Sequence, residues 1–482
     1  MPCDPKHQML PLASEMNPQP LRRSIAISVA LTLIVALVAF VAAVAAAQST
    51  EGGVTRVLAP QTLRLTLADA VRMAAKQSAT VEGARSRVDA AQARVTQRKA
   101  DLFPTLTATA REGGSTINSA TFPIELPSAP GQPVLFPPDG KILGPVNALD
   151  VRARIQQSLF DPAARTRIAS AKSVVDVANA EVANASDVAA TMAANAYLLV
   201  LRADAVYSAR IADSTLAAEL LGIAQDQLTA GTGVALDVTR ARSQLAGARA
   251  QLIGARNERD RTRVDLARAL GLPPVRIELS DALGTLPSTV SFDETAALDT
   301  ALRERKDVQS LELQARSSRL QASAIRDERF PTVGVFADEG QSQRNARSYL
   351  PTYDWGIQLS VPIFDGFRRE GRVEEQVSGA RELDIRARDL RAQVEADVRS
   401  AMLNLRSSGE IVTAARERLS FAEQEVSQSR ERFQAGVSGN ADLITASMTL
   451  NAARTQLVDA LTSFQGARVA LARAQGSIAA IQ

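Results

Sequence analysis

The side chains best suited to chemistry are almost absent from this chain. Its 482 residues hold one cysteine, Cys3, and one histidine, His7. Both precede a long apolar run. If that run is a removed secretion signal, the mature chain has neither thiol nor imidazole. Cys–His nucleophiles, Ser–His–Asp triads, zinc sites built on Cys or His, disulfides and haem–His ligation then drop out. Carboxylate or Lys chemistry is left. Two acids stand out by position: Asp237 follows the turn Gly231-Thr232-Gly233, and Asp442 follows Gly436-Val437-Ser438-Gly439. One reading makes them helix caps after the turns. The other concerns Asp442 and needs several copies of the chain around one axis: their carboxylates would then meet at a constriction, where like charges raise one another's pKa and attract cations. The two roles can coexist. No phosphate loop and no paired acids in a cleft pattern are present, so no catalytic, metal or cofactor residue is assigned.

Composition agrees with a non-enzyme. Aromatic residues make up 4% of the chain while hydrophobic residues make up 46%. Ala and Leu carry the apolar fraction, as in long helices. The net charge of +3 comes without a basic stretch, so nucleic acid is not an expected partner.

At the N-terminus, Arg22-Arg23 precede an uncharged run from Ser24 that ends Ala45-Ala46-Ala47-Gln48. A basic region, an apolar region and a small-residue site read as a secretory signal over 1–47. The alternative is a permanent anchor, since the run is long enough to span a bilayer. Cys3 lies before the run and cannot become a lipidated mature N-terminus.

The chain repeats itself. Gln227–Gly271 superimposes without gaps on Arg432–Gly476. Phe103-Pro104-Thr105 corresponds to Phe330-Pro331-Thr332, and Phe160-Asp161 to Phe364-Asp365. The first half carries extra residues between Thr105 and Phe160, rich in Pro and Gly, which read as a long loop. The expected organisation is a signal (1–47), a mature N-terminal segment (48–62), a first repeat (63–272), a linker (273–291), a second repeat (292–476) and a short tail (477–482). Each repeat reads helix, short strand, loop, short strand, very long helix, turn, long helix.

No Pro interrupts Ala163–Leu272 or Ile363–Gln482. An interior Pro costs a helix about 3 kcal/mol or more, so these runs read as long helices. Asp161-Pro162 looks like a cap followed by a first-turn proline. Val377, Ala380, Leu383, Ala387, Leu390, Val394 and Val398 recur at a coiled-coil period. The glycine turns then close two helical hairpins.

The strands alternate. Trp355, Ile357, Leu359, Val361 and Ile363 share one face and Gly356, Gln358, Ser360 and Pro362 the other. Val151, Ala153, Ile155 and Leu159 oppose Arg152, Arg154, Gln156 and Ser158. Such a period over about ten residues is the mark of an outer-membrane strand, although a half-buried soluble sheet gives it too. Tyr349, Tyr353 and Trp355 gather at one end, and Phe364 and Phe367 at the other, like aromatic girdles at membrane interfaces. Four strands cannot close a barrel, and an open edge cannot sit in lipid, so closure needs several copies.

Over Leu63–Gly476 the chain resembles the TolC-like outer-membrane efflux protein family. The resemblance rests on Leu65-Thr66-Leu67-Ala68-Asp69-Ala70, the Phe-Pro-Thr strand entries, the two Phe-Asp strand-to-helix junctions and the Ala-Gly turns followed by Asp237-Val238 or Asp442-Leu443. It implies a mostly α fold with a small β part. Long antiparallel α-hairpins would form a periplasmic α-barrel, and four strands per protomer would enter one trimeric twelve-stranded outer-membrane barrel. The implied partners are two further copies, outer-membrane lipid, a periplasmic adaptor and an inner-membrane transporter. Gly231, Thr232, Gly233, Gly436, Val437 and Gly439 would meet the adaptor. Asp442 matches an entrance-ring position and Asp237 a contact position. Thr445 stands where some members carry a second acid and Ser438 where some carry a base, so a double acidic ring and an ion-pair lock do not carry over. The competing reading is a periplasmic or anchored coiled-coil scaffold without a pore.

Overall fold

The computed structural model describes residues 63–121, 140–273, 275–284, 293–345, 348–435 and 437–481. Residues 1–62, where a signal segment is expected, most of the Pro- and Gly-rich loop, much of the linker and Gly436 lie outside the described residues.

The first half begins with β1 (Leu63–Leu65), α1 (Leu67–Gln77) and α2 (Ala79–Ala100). The strands β2 (Thr105–Asn118) and β3 (Ile142–Phe160) follow, then the helices α3 (Pro162–Thr229) and α4 (Ala235–Ala269). The second half runs β4 (Ile277–Leu279), α5 (Glu294–Glu304), α6 (Lys306–Asp327), β5 (Thr332–Asn345), β6 (Ser348–Ser360), α7 (Arg368–Gln434) and α8 (Asn440–Ala474). Corresponding helices match in length: 11 and 22 residues open each half, 68 in α3 stands against 67 in α7, and 35 stands in both α4 and α8.

Local chemistry explains the boundaries. Thr66 and Asp69 form a reciprocal capping box at α1. Asp161 caps α3, accepting from the Ala164 N–H at 3.0 Å, and Pro162 occupies the first turn as its missing donor allows. Three features depart from expectation. The opening helix of each half is two helices, broken at Ser78 and at Arg305, where the backbone is extended. β1 and β4 pair in parallel, a small sheet whose alternation of three residues is too brief to announce it. The alternation over Trp355–Ile363 outruns its strand, because β6 stops at Ser360 and Pro362 has no N–H to offer a neighbour.

The four-stranded sheet has the order β2-β3-β5-β6, antiparallel throughout. Each half supplies one β-pair, and β3 against β5 joins them. Leu106, Ile155, Ala337 and Trp355 form one row across all four strands. β2 and β6 are left as open edges.

The helices pack through small residues. Of the expected seam, Ala380, Ala387, Val394 and Val398 are buried and Val377, Leu383 and Leu390 are half-buried. Ser173 and Ser317 meet hydroxyl to hydroxyl at 2.9 Å where α3 crosses α6, a contact only short side chains permit. A larger core forms around the wholly buried Tyr197, with Leu67, Val71, Leu266, Leu270 and Ile277. The Tyr197 hydroxyl donates to Asp281 Oδ2 at 2.8 Å, which also receives the Leu67 N–H at 2.9 Å. This fixes β1 and the segment after β4 onto α3. Among the described residues no helix is long and apolar enough to cross a membrane.

Candidate functional site

Two regions present unusual surfaces: the hairpin tips and the sheet. At the first tip, α3 ends at Thr229 and the chain reverses through Gly231, whose φ is +75°. The Thr232 and Gly233 N–H groups both donate to the Gln227 carbonyl, at 3.0 and 2.9 Å, satisfying a helix end that would otherwise be orphaned. Gly233 needs its lack of a side chain for a different reason. A Cβ there would stand 2.9 Å from Gln227 Cβ and 3.0 Å from the Leu228 nitrogen. At the second tip, Val437 N–H donates to the Arg432 carbonyl at 3.0 Å. Gly436 lies outside the described residues. Gly439 has φ −77° and open space around it, so no local constraint demands glycine there.

Asp237 and Asp442 are not caps. The cap positions are Val234 and Gly439, neither of which makes a side-chain cap bond. Each aspartate sits in the first helical turn, where the helix dipole favours a negative charge. Capping fails because each helix begins two residues before its acid, with the cap position three before it. The two tips are tied together: Asn440 Nδ2 donates to the Asp237 carbonyl at 2.9 Å, and Gln227 Nε2 donates to the Phe433 carbonyl at 2.9 Å. Leu220, Phe433 and Leu443 pack beneath. Asn440 is fully buried, and sequence reasoning missed it; a polar residue directly after Gly439, where the first half has Ala235, was the available signal. Leu228, Val234, Leu236 and Val437 are exposed apolar side chains around the turns.

Replacing Gly231 with Val forces a β-branched residue into the left-handed region, at about 1–2 kcal/mol. The expected result is reduced export in cells with the assembled protein still visible on unheated gels. Unchanged export at normal protein level would argue against the turn as a docking element.

The sheet has two chemically distinct faces. On one, Tyr353, Trp355, Ile357 and Leu359 are all largely exposed, Trp355 at 74%. Beyond the strand end, Phe364 and Phe367 meet edge to face at 5.5 Å, both exposed. Tyr349 lies in β6 opposite Gln343. On the other face, Arg152 reaches Asp338 at 2.7 Å, Asp150 at 3.2 Å and Thr352 at 3.2 Å, and Arg154 lies 5.0 Å from the Phe336 ring centre. Gly340 makes room for Arg152, since a Cβ there would stand 3.0 Å from Arg152 Cβ.

Charge is also buried between the hairpins, which sequence reasoning did not anticipate. Asp213 on α3, 1% exposed, receives Arg210 and Arg454 at 2.9 Å each. A second link, Arg202 of α3 to Asp459 of α8 at 2.8 Å, is exposed rather than buried. Further up, burial pushes Asp187 above the usual carboxylate range against the pull of Lys306 and Arg473. Burial also acts on Asp307, but Arg305, bonded at 2.6 Å, overrides it and holds that group low. Burial and arginine partners between packed helices account for these shifts. Among the described residues no three His, Cys, Asp or Glu side chains converge to hold a metal.

Known structures share this architecture. The VceC outer membrane protein of Vibrio cholerae is 19% identical, with 85% of this chain covering 96% of that one at a TM-score of 0.64. A membrane protein from Pseudomonas aeruginosa is 17% identical, with 85% of this chain covering 93% of that one at 0.69. The CmeC outer membrane channel of Campylobacter jejuni is 15% identical, with 85% covering 85% at 0.66. At such identities these likenesses establish the fold. No curated protein matches in sequence. The family model described as "Outer membrane efflux protein" matches residues 70–272 and 297–477, most of the chain. By that match the chain belongs to the outer membrane efflux protein family, channels of the Gram-negative outer membrane that extend into the periplasm.

Proposed function

We propose that the protein is a passive exit duct, the outer-membrane component of a tripartite efflux or type I secretion system. Three copies close one twelve-stranded barrel, and their hairpins form a periplasmic tunnel. An inner-membrane transporter supplies the energy and a periplasmic adaptor passes substrate on, so the duct needs no catalytic residue and no cofactor.

One observation carries this reading: a four-stranded sheet with an exposed apolar face and two open edges. A sheet margin left unpaired in lipid costs several kcal/mol per backbone group, so the edges must meet other copies. Tyr353 to Ile363 spans about 33 Å if extended, or about 25 Å of height at a 40° tilt, the depth of an outer-membrane apolar band. Tyr353, Trp355, Phe364 and Phe367, with Tyr349 beyond, then mark its rims.

The hairpin turns are the adaptor end. Gly231, Thr232, Gly233, Gly436, Val437 and Gly439 form the docking surface, and Asp442 with Asp237 lines the entrance. The matched helix lengths and the family model's two blocks support a duplicated chain with halves at 63–272 and 292–476.

The test is outer-membrane fractionation, unheated gel electrophoresis and planar-bilayer conductance of the purified protein. A heat-dissociable trimer that conducts is expected. A water-soluble monomer without conductance would return the coiled-coil scaffold reading.

A further inference from the structure

The two open edges carry charges that their own sheet leaves unpaired. Arg111 on β2 and Asp354 on β6 both point to the polar face and are both exposed. Arg111 stands opposite Asp150, and Asp354 opposite Asp338, but Arg152 engages both of those acids. Among the described residues, neither the Arg111 guanidinium nor the Asp354 carboxylate has an ion-pair partner. A base therefore waits at one margin and an acid at the other.

We propose that β6 of one copy pairs with β2 of the next in a single register that places Asp354 directly opposite the partner's Arg111, closing the ring with an inter-copy ion pair. The proposal rests on the trimeric-barrel reading above. Its argument is geometric. Within one copy, a row of directly opposed residues runs through Thr107, Arg154, Asp338 and Asp354. In a closed barrel this row re-enters the next copy displaced along β2. Like faces must stay together, so the displacement is an even number of residues. With a rise of about 3.3 Å and a strand spacing of about 4.7 Å, displacements of two, four and six give tilts of about 19°, 35° and 46°. Outer-membrane strands tilt by about 35–45°, which discards two.

Strand length and chemistry then choose four. At that displacement every residue of β6, Ser348–Ser360, faces a residue of β2. Leu359 meets Leu106, Ile357 meets Ala108 and Trp355 meets Ala110, apolar against apolar on the outward face. At six, Trp355 would face Glu112. A displacement of four in the opposite sense would leave only Thr105–Thr109 paired. On the polar face the chosen register brings Asp354 to Arg111, and the opposite charges reward the same alignment that the outward face prefers.

Engineered cysteines test this, because the chain's single cysteine, Cys3, lies far from the sheet in sequence. Oxidised Arg111→Cys/Asp354→Cys protein should run as a covalent trimer on denaturing gels and return to monomer on reduction. The comparators Thr109→Cys/Asp354→Cys and Gly113→Cys/Asp354→Cys, displaced by two and six, should link poorly. Linkage in a comparator but not in the first pair overturns the register. As a second arm, Asp354→Arg should lower the temperature at which the trimer dissociates on gels, and adding Arg111→Asp should restore it. A double variant no better than the single overturns the ion pair. If the unaltered protein is itself monomeric and water-soluble, the barrel reading fails as well, whereas a membrane trimer linked elsewhere removes only the register.

Discussion

Replacing Asp213 with Ala should destabilise the protein by about 3–5 kcal/mol, the range found when one partner of a buried ion pair is deleted. The carboxylate is 1% exposed and accepts from Arg210 and Arg454 on two different helices. Its loss leaves both guanidiniums in a site built to neutralise them. The measurement is thermal unfolding of detergent-solubilised protein followed by helical circular dichroism. Exchanging Asp213, Arg210 and Arg454 together for apolar residues of similar volume should recover much of the loss, since apolar replacement of a whole buried ion-pair cluster is often near neutral. An alanine variant that melts like the parent would show that the Asp213 ion pairs add nothing to the joining of α3 and α8.

Placing Arg at Ile357 should cost about 2–4 kcal/mol, the penalty for a base near the bilayer midplane on a lipid-facing strand. Ile357 is 74% exposed in the single chain, on the face of Trp355 and Leu359. The neighbouring Gln358→Arg is the control, because that side chain points to the polar face. Ile357→Arg should strip heat-dissociable trimer from outer-membrane fractions. Gln358→Arg should leave the trimer in place and shift channel conductance toward anions. Equal effects from both substitutions would deny that the two faces see different solvents.

Much of the fold was legible because its signals are local. Asp161-Pro162 announced the start of α3, the proline-free runs announced the long hairpins, and Gly231 announced the reversal. Alternation separated the sheet's faces at Trp355–Leu359. What was not legible is long-range or irregular. Asp213 and Arg454 are 241 residues apart and share no period. The parallel pair β1 and β4 is three residues long on each side, and an alternation that brief does not distinguish a strand from chance. The placement of Asp237 and Asp442 turned on helices beginning one turn earlier than a capping role requires. The docking and entrance roles proposed for the tips rest on resemblance alone, since glycine turns and first-turn acids also occur in helical hairpins that bind nothing.

Trp355 is the only tryptophan in the chain, and it projects from the outward side of the sheet. Indole emission from this molecule consequently originates from one spot, with no background from elsewhere in the polypeptide. Its wavelength and its quenching by brominated acyl chains would register the moment the sheet leaves water for hydrocarbon. The protein arrives at the bilayer already carrying its own optical probe, at the place where insertion has to be seen.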